Sequence, residues 1–239
     1  MRANAYATAS VEGFDRLRSE APISLRPAFD ALYVVASAGG PIGGDDLTLS
    51  LRVEPGASLR VRSPAAQVVL PSRNDEPSHV RVEAVVAAGG HLDLALEPTV
   101  LAAGCRHSSE IAVDLAPDAA LDIVDVVVLG RWGEAPGTAA SRLRITVEGQ
   151  PFIHHELDLH ESSIGSAHVV GIAACVEPAW SEPGAPPACR LGPKAWWLPA
   201  DGPGGIAVAL GGTVAEVRAL LDASPRGERL DQAVRPRGA

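Results

Sequence analysis

Four side chains able to bind a metal recur at every second position: His154, Glu156, Asp158 and His160. In a β-strand, alternate residues share one face and lie roughly 6.6–6.8 Å apart. Two imidazoles and two carboxylates on such a face suit a borderline ion such as Ni²⁺ or Zn²⁺, held weakly. The row lacks the compact spacing of a closed structural site, and an ordinary solvated strand face has the same composition. Ile153, His155, Leu157 and Leu159 fall on the opposite side. Two glycine-rich segments are the other candidates. The first, containing Gly39, Gly40, Gly43, Gly44 and Asp45, has no Gly-Lys-Ser/Thr, and Pro41 removes one amide. A strand follows it where a phosphate loop needs a helix, so it reads as a tight turn into a strand. The second holds Gly130, Arg131, Gly133 and Glu134. Its two charged residues can pair with each other or meet a partner. There is no Gly-x-Ser-x-Gly elbow and no HExxH, and no carboxylate pair is singled out by its surroundings.

The elements that position these residues are strands. Leu47, Leu49, Leu51 and Val53 alternate with Thr48, Ser50 and Arg52. The same period of two runs through Leu59–Val61, Leu92–Leu96, Ile111–Leu115 and Leu143–Val147, as half-buried strands require. Ile123–Leu129 is almost continuously apolar, broken by Asp125; it reads as a strand covered on both faces. The segments after Val53, Val86, Leu115 and Val147 resemble one another, and their chemistry predicts hairpin-like reversals. Their spacing, 33, 29 and 32 residues, suggests stacked β units. Residues 177–204 form a Pro- and Gly-rich loop carrying Trp180, Trp196 and Trp197, aromatics suited to packing it down. One helix is expected late: Thr213 and Glu216 have capping-box spacing ahead of Val214, Val217, Leu220 and Leu221. The reading is a single domain over 1–239, with a core over about 20–223 and a frayed tail over 224–239.

Composition narrows the classes. A net charge of −9 over 239 residues, without basic clusters, argues against nucleic acid as a partner. No apolar run reaches the roughly 18–20 residues of a membrane span, and Met1–Arg18 lacks the apolar centre of a signal peptide. Three cysteines without a CxxC spacing argue for a reducing, cytoplasmic setting. A carbohydrate-active enzyme with paired carboxylates on neighbouring coils is the alternative. Aromatic content of 4%, with its tryptophans mostly in one loop, supplies few platforms for sugar rings.

Several segments, in order, carry a resemblance. They are Gly39–Ala57, Leu94–Leu101, the turn over Asp114–Leu121, Val128–Glu134, Ile145–Phe152, Ala167–Gly171 and Val208–Leu221. Together they make the chain similar to the urease accessory proteins called UreD, or UreH in some bacteria. The resemblance implies an all-β fold, an irregular right-handed stack of strands with a small C-terminal helical element. It implies a protein that catalyses nothing and binds no cofactor tightly. Such a protein binds the urease apoenzyme together with a UreF-like accessory protein and a UreG-like nickel-carrying GTPase. Nickel is then in transit to the urease active site, by way of an internal passage. On that reading the two glycine segments are family motifs of structural or interface use, and the row His154, Glu156, Asp158 and His160 contributes to nickel transit.

Overall fold

The computed structural model describes residues 1–181 and 184–226. The period-two segments become strands of two packed sheets. Three consecutive units share one plan. Strands β5 (Asp46–Val53), β8 (Ser78–Val86) and β11 (Arg106–Leu115) run parallel in the first sheet. Each is followed after a short turn by β6 (Ser58–Arg62), β9 (His91–Ala95) or β12 (Ala120–Leu129), parallel neighbours in the second sheet. Short strands β7 (Gln67–Val69) and β10 (Thr99–Leu101) extend two of the coils, and β10 lies beside the far half of β12. The stacked arrangement expected from the repeats is present. The expected hairpins are not: at the first three turns the chain crosses from one sheet to the other. A strand alternating apolar and polar must bury one face, and arching over the core lets both arms bury theirs against each other. The fourth unit is a true hairpin, with β13 (Thr138–Val147) antiparallel to β14 (Gln150–Leu159) at the edge of the first sheet.

The repeat spacing is the strand register. Asp46 lies opposite His79, Ser78 opposite His107 and Arg106 opposite Thr138, offsets of 33, 29 and 32 residues. Equivalent positions therefore stack into apolar ladders such as Leu51, Ala84, Val113 and Ile145, all buried. The N-terminal segment joins this core. In β1 (Arg2–Ser10), Ala3, Ala5, Ala7 and Ala9 are buried, and the strand runs parallel to β5. The packed core thus begins near residue 3, before the expected residue 20. Strand β2 (Gly13–Arg18) closes the first sheet antiparallel to β1, and the hairpin of β3 (Ile23–Ala28) and β4 (Ala31–Ala36) closes one end of the second.

The second sheet continues past β12 through β15 (Val169–Val176), β18 (Gly204–Gly211), β17 (Ala195–Pro199) and β16 (Cys189–Gly192). The Pro- and Gly-rich loop is thus partly strand. Trp180 and Trp197 pack edge to face with centroids 6.2 Å apart, as the loop's aromatics suggested; Trp196 stays exposed. Helix α1 (Val214–Asp222) starts as its capping signal requires: Thr213 accepts from the Glu216 amide at 3.2 Å, and Glu216 accepts from the Gly212 amide at 2.8 Å. Val217 and Leu221 are fully buried against the outer face of the second sheet. Gly171 makes this approach possible, because a Cβ there would collide with Val217 and Leu221. The chain beyond α1 is not frayed where it is described. Ser224 and Arg226 are buried, and Arg226 lies 3.9 Å from Asp93 and 3.6 Å from Asp122. These two aspartates face the same way on adjacent strands, and two buried carboxylates side by side need cations. The described part of the tail supplies one. The rest of the expected tail, 227–239, lies outside the described residues.

Candidate functional site

Topology gathers the sequence-selected segments at one end of the stack. The first-sheet parallel strands begin there, β12 and β14 end there, and the connections before β5 and β13 lie between. At the first glycine segment the N-terminal ammonium reaches Asp45 at 2.6 Å, and the other Asp45 oxygen accepts from the Ile42 amide at 2.9 Å. Gly43 sits so close to the Glu76 carbonyl and Ser72 that a Cβ would clash. This is the tight turn into a strand that its chemistry suggested. At the second segment Arg131 and Glu134 pair with each other, through two bonds of 2.7 and 2.6 Å. Those bonds hold the Glu134 carboxyl down at about 2. Gly130 has φ +81°, and a Cβ there would press on the Glu134 carbonyl. Trp132, at the tip of this braced loop, is fully exposed.

His154, Glu156 and Asp158 share the outer face of the first sheet, with Ile153, His155, Leu157 and Leu159 turned inward, while exposed His160 lies in a bend just past the end of β14. They are not one ligand set. Glu156 is held by Arg142 at 2.7 Å, which lowers its pKa, and His154 lies opposite Arg144. Asp158 and His160 instead line an open cavity of about 570 Å³, together with Arg106, His107 and Thr138. Among the described residues no three His, Cys, Asp or Glu side chains come together to hold a metal.

Behind that cavity the sheets enclose a polar layer that sequence reasoning passed over. Inward positions of β11, β13 and β14 are apolar near the turns, then change to Ser109, His107, Ser141 and His155. Ser78 joins them from β8, and Asp125 faces them from β12. The layer divides the apolar core into a large body around Leu121 and Ile123 and a smaller one around Leu101 and Leu129. His107 is 6% exposed. Its Nδ1 lies 2.8 Å from the Ser78 hydroxyl, and its Nε2 has no partner among the described residues. Burial, helped by the nearby His79 charge, pushes it down to about 4, so it is neutral near pH 7. The His155 Nδ1 also lacks a partner there, and burial lowers its pKa. Asp125 meets a long bond from Ser141 at 3.5 Å and the Val126 amide, and desolvation outweighs both to raise its pKa. Its side chain is only partly buried, as are those of Ser109, Ile111, His155 and Leu157. The sequence carried a signal: extending the alternation Leu115–Val113–Ile111 backwards turns Ser109 and His107 inward, and Asp125 interrupts an apolar run.

The carboxylate pair that the topology does produce, Asp93 and Asp122, is buried among Arg60, Arg62, Arg226 and His91. A general acid and base for sugar chemistry need access to substrate, and this pair has none. Among the described residues no helix is long and apolar enough to cross a membrane.

Comparison with known proteins is consistent across the chain. The profile of the UreD urease accessory protein family matches residues 4–227. The urease accessory protein UreD of Frankia alni is 37% identical over 216 residues, covering 80% of this chain and 72% of that protein. UreD 1 of Saccharopolyspora erythraea is 32% identical over 206 residues, covering 81% and 79%. UreD 3 of Streptomyces griseus is 32% identical over 254 residues, covering 97% and 98%.

Proposed function

Because the chain belongs to the UreD urease accessory protein family, and so has a role in urease maturation, we propose that it is a non-catalytic scaffold that conducts nickel to the urease apoenzyme through its own interior. In this reading it works in the cytoplasm, in a complex with the apoenzyme, a UreF-like accessory protein and a UreG-like GTPase. Nickel is cargo, not a resident cofactor. The braced Gly130–Glu134 loop and the Gly39–Asp45 turn, at one end of the stack, belong to the docking surface.

The observation that carries the proposal is the polar layer between the sheets. Burying polar groups without full hydrogen bonding is unfavourable, so a fold selected for stability alone would fill this level with aliphatic side chains. The groups present suit a moving borderline cation. Neutral imidazole is a good ligand for Ni²⁺, hydroxyls are weak ones, and single donors in succession hold an ion less firmly than a cage. Asp158 and His160 line the cavity, with His107 at its inner side. Ser109, Ser141, Asp125 and His155 continue inward. Burial disfavours the ionised form of Asp125 and an arriving dication favours it, so carboxylate and ion each lower the cost of the other's charge in the interior.

The test uses Asp125→Leu in a strain whose own copy of this gene is deleted. A buried, poorly paired carboxyl replaced by an apolar side chain is expected to leave the fold intact or more stable. Urease activity and urease-bound nickel, measured at limiting nickel, are expected to fall several-fold while the accessory complex still co-purifies. Full nickel loading with this variant would overturn internal conduction. Full loading in the deletion strain itself would overturn the maturation role.

A further inference from the structure

The end of the sandwich formed by β2 and the β3–β4 hairpin is built to receive another chain. All six residues of β2 are exposed, and among the described residues nothing pairs with its outer edge. A bulge between Thr8 and Ala9 shifts the register, so Leu17 lies opposite Ala7 and Phe14 opposite Ala9. Both therefore turn toward the cleft between the sheets, at 38% and 37% exposure, while Arg16 and Arg18 turn outward. Across the cleft Phe29 stands at the tip of the β3–β4 hairpin, fully exposed, with φ +54°. It occupies the first place of a two-residue loop, where glycine is usual. A bulky side chain in the left-handed region is strained, and among the described residues no burial of Phe29 compensates for it. Strain without local benefit points to a use elsewhere. Phe14, Phe29 and Leu32 border a cavity of about 280 Å³.

We propose that this edge docks an extended segment of a partner protein as an added β-strand, apolar toward the cleft and acidic toward Arg16 and Arg18. Free N–H and C=O groups along an edge strand supply the affinity of such an addition, and side-chain pockets supply its selectivity. The acidic preference follows from charge. Arg16 has no ion pair among the described residues, and Arg18 only a long one of 3.8 Å to Glu20. The same charges exclude a second copy of this chain. Antiparallel self-pairing that keeps the apolar faces together sets Arg16 against an arginine of the other copy, and like charges directly opposite are unfavourable. This surface is distinct from the polar layer, and its occupancy does not depend on nickel conduction.

The experiment uses the full chain and two labelled heptapeptides, alternating valine with glutamate or valine with lysine. The glutamate peptide is expected to bind at least about tenfold more tightly at low salt, and to protect the amides of residues 13–18 from hydrogen exchange. Arg16→Glu is expected to reverse the preference. Phe29→Gly separates docking from folding. Relief of strain is expected to raise Tm by about 2–4 °C, while binding weakens about fivefold. Equal binding of the two peptides, protection away from β2, or concentration-dependent self-association through β2 would each overturn the proposal.

Discussion

Replacing His107 with asparagine removes the titratable group at the inner side of the cavity while keeping a hydrogen-bonding partner for Ser78. In the native protein burial lowers this imidazole from 6.5 to about 4. The folded chain then binds a proton less well than the unfolded chain. Stability from this site is complete above pH 6.5, is lost progressively as pH falls from 6.5 to about 4, and is level below that. At 1.36 kcal/mol per pH unit, the difference amounts to about 3 kcal/mol. For a chain of this size that is roughly 6–12 °C in Tm, a sizeable part of the 5–15 kcal/mol typical of a domain. Urea unfolding, followed through the emission of the buried Trp197, measures it at pH 7 and pH 4 for both proteins. Carboxylates titrate alike in both, so their effect cancels in the comparison. The native protein is expected to lose about 3 kcal/mol more than His107→Asn between the two pH values. Parallel pH profiles would refute the argument, because they would mean that His107 takes up its proton as readily when folded as when unfolded.

Arg226→Ala leaves Asp93 and Asp122 buried with one cation fewer, and is expected to destabilise the chain by about 3 kcal/mol, read by chemical denaturation. Gly171→Val drives side-chain atoms into Val217 and Leu221; a loss of about 1–3 kcal/mol and weaker protection of α1 from hydrogen exchange are expected. Glu134→Gln breaks the fork with Arg131 at the surface, so Tm should hold while co-purification with the accessory partners falls. The His154→Ala/His160→Ala double variant, assayed for urease activation at limiting nickel, is expected to lose activation through His160 at the cavity, with the complex intact. Unchanged activation would remove the outer face from the path.

Much of this protein is legible in its residues. Alternation fixes which side of each strand is buried, because side chains in an extended chain must point to opposite faces. Hence Leu47–Val53 and the outward His154, Glu156 and Asp158 lie as their pattern requires. Spacings of 33, 29 and 32 residues are the register offsets of the parallel strands, since stacked coils bring equivalent positions together. Thr213 and Glu216 cap a helix through contacts within one turn, which depend on little else. What the neighbouring strand would be was decided elsewhere. The turns after Val53, Val86 and Leu115 carry the same kinds of residue as the turn after Val147, yet three arch between sheets and one makes a hairpin. Turn residues set local φ and ψ; the partner is chosen by which apolar faces remain to be covered. The polar layer is likewise a tertiary product. The pairing of β11 with β13 brings His107 and Ser141 together, and only the packing of one sheet on the other sets Asp125 against them. That packing removes their water, lowers the imidazole and raises the carboxyl. Arg226 is the same case in charge: an arginine just after a helix reads as solvated, until two aspartates on adjacent parallel strands bury it between them.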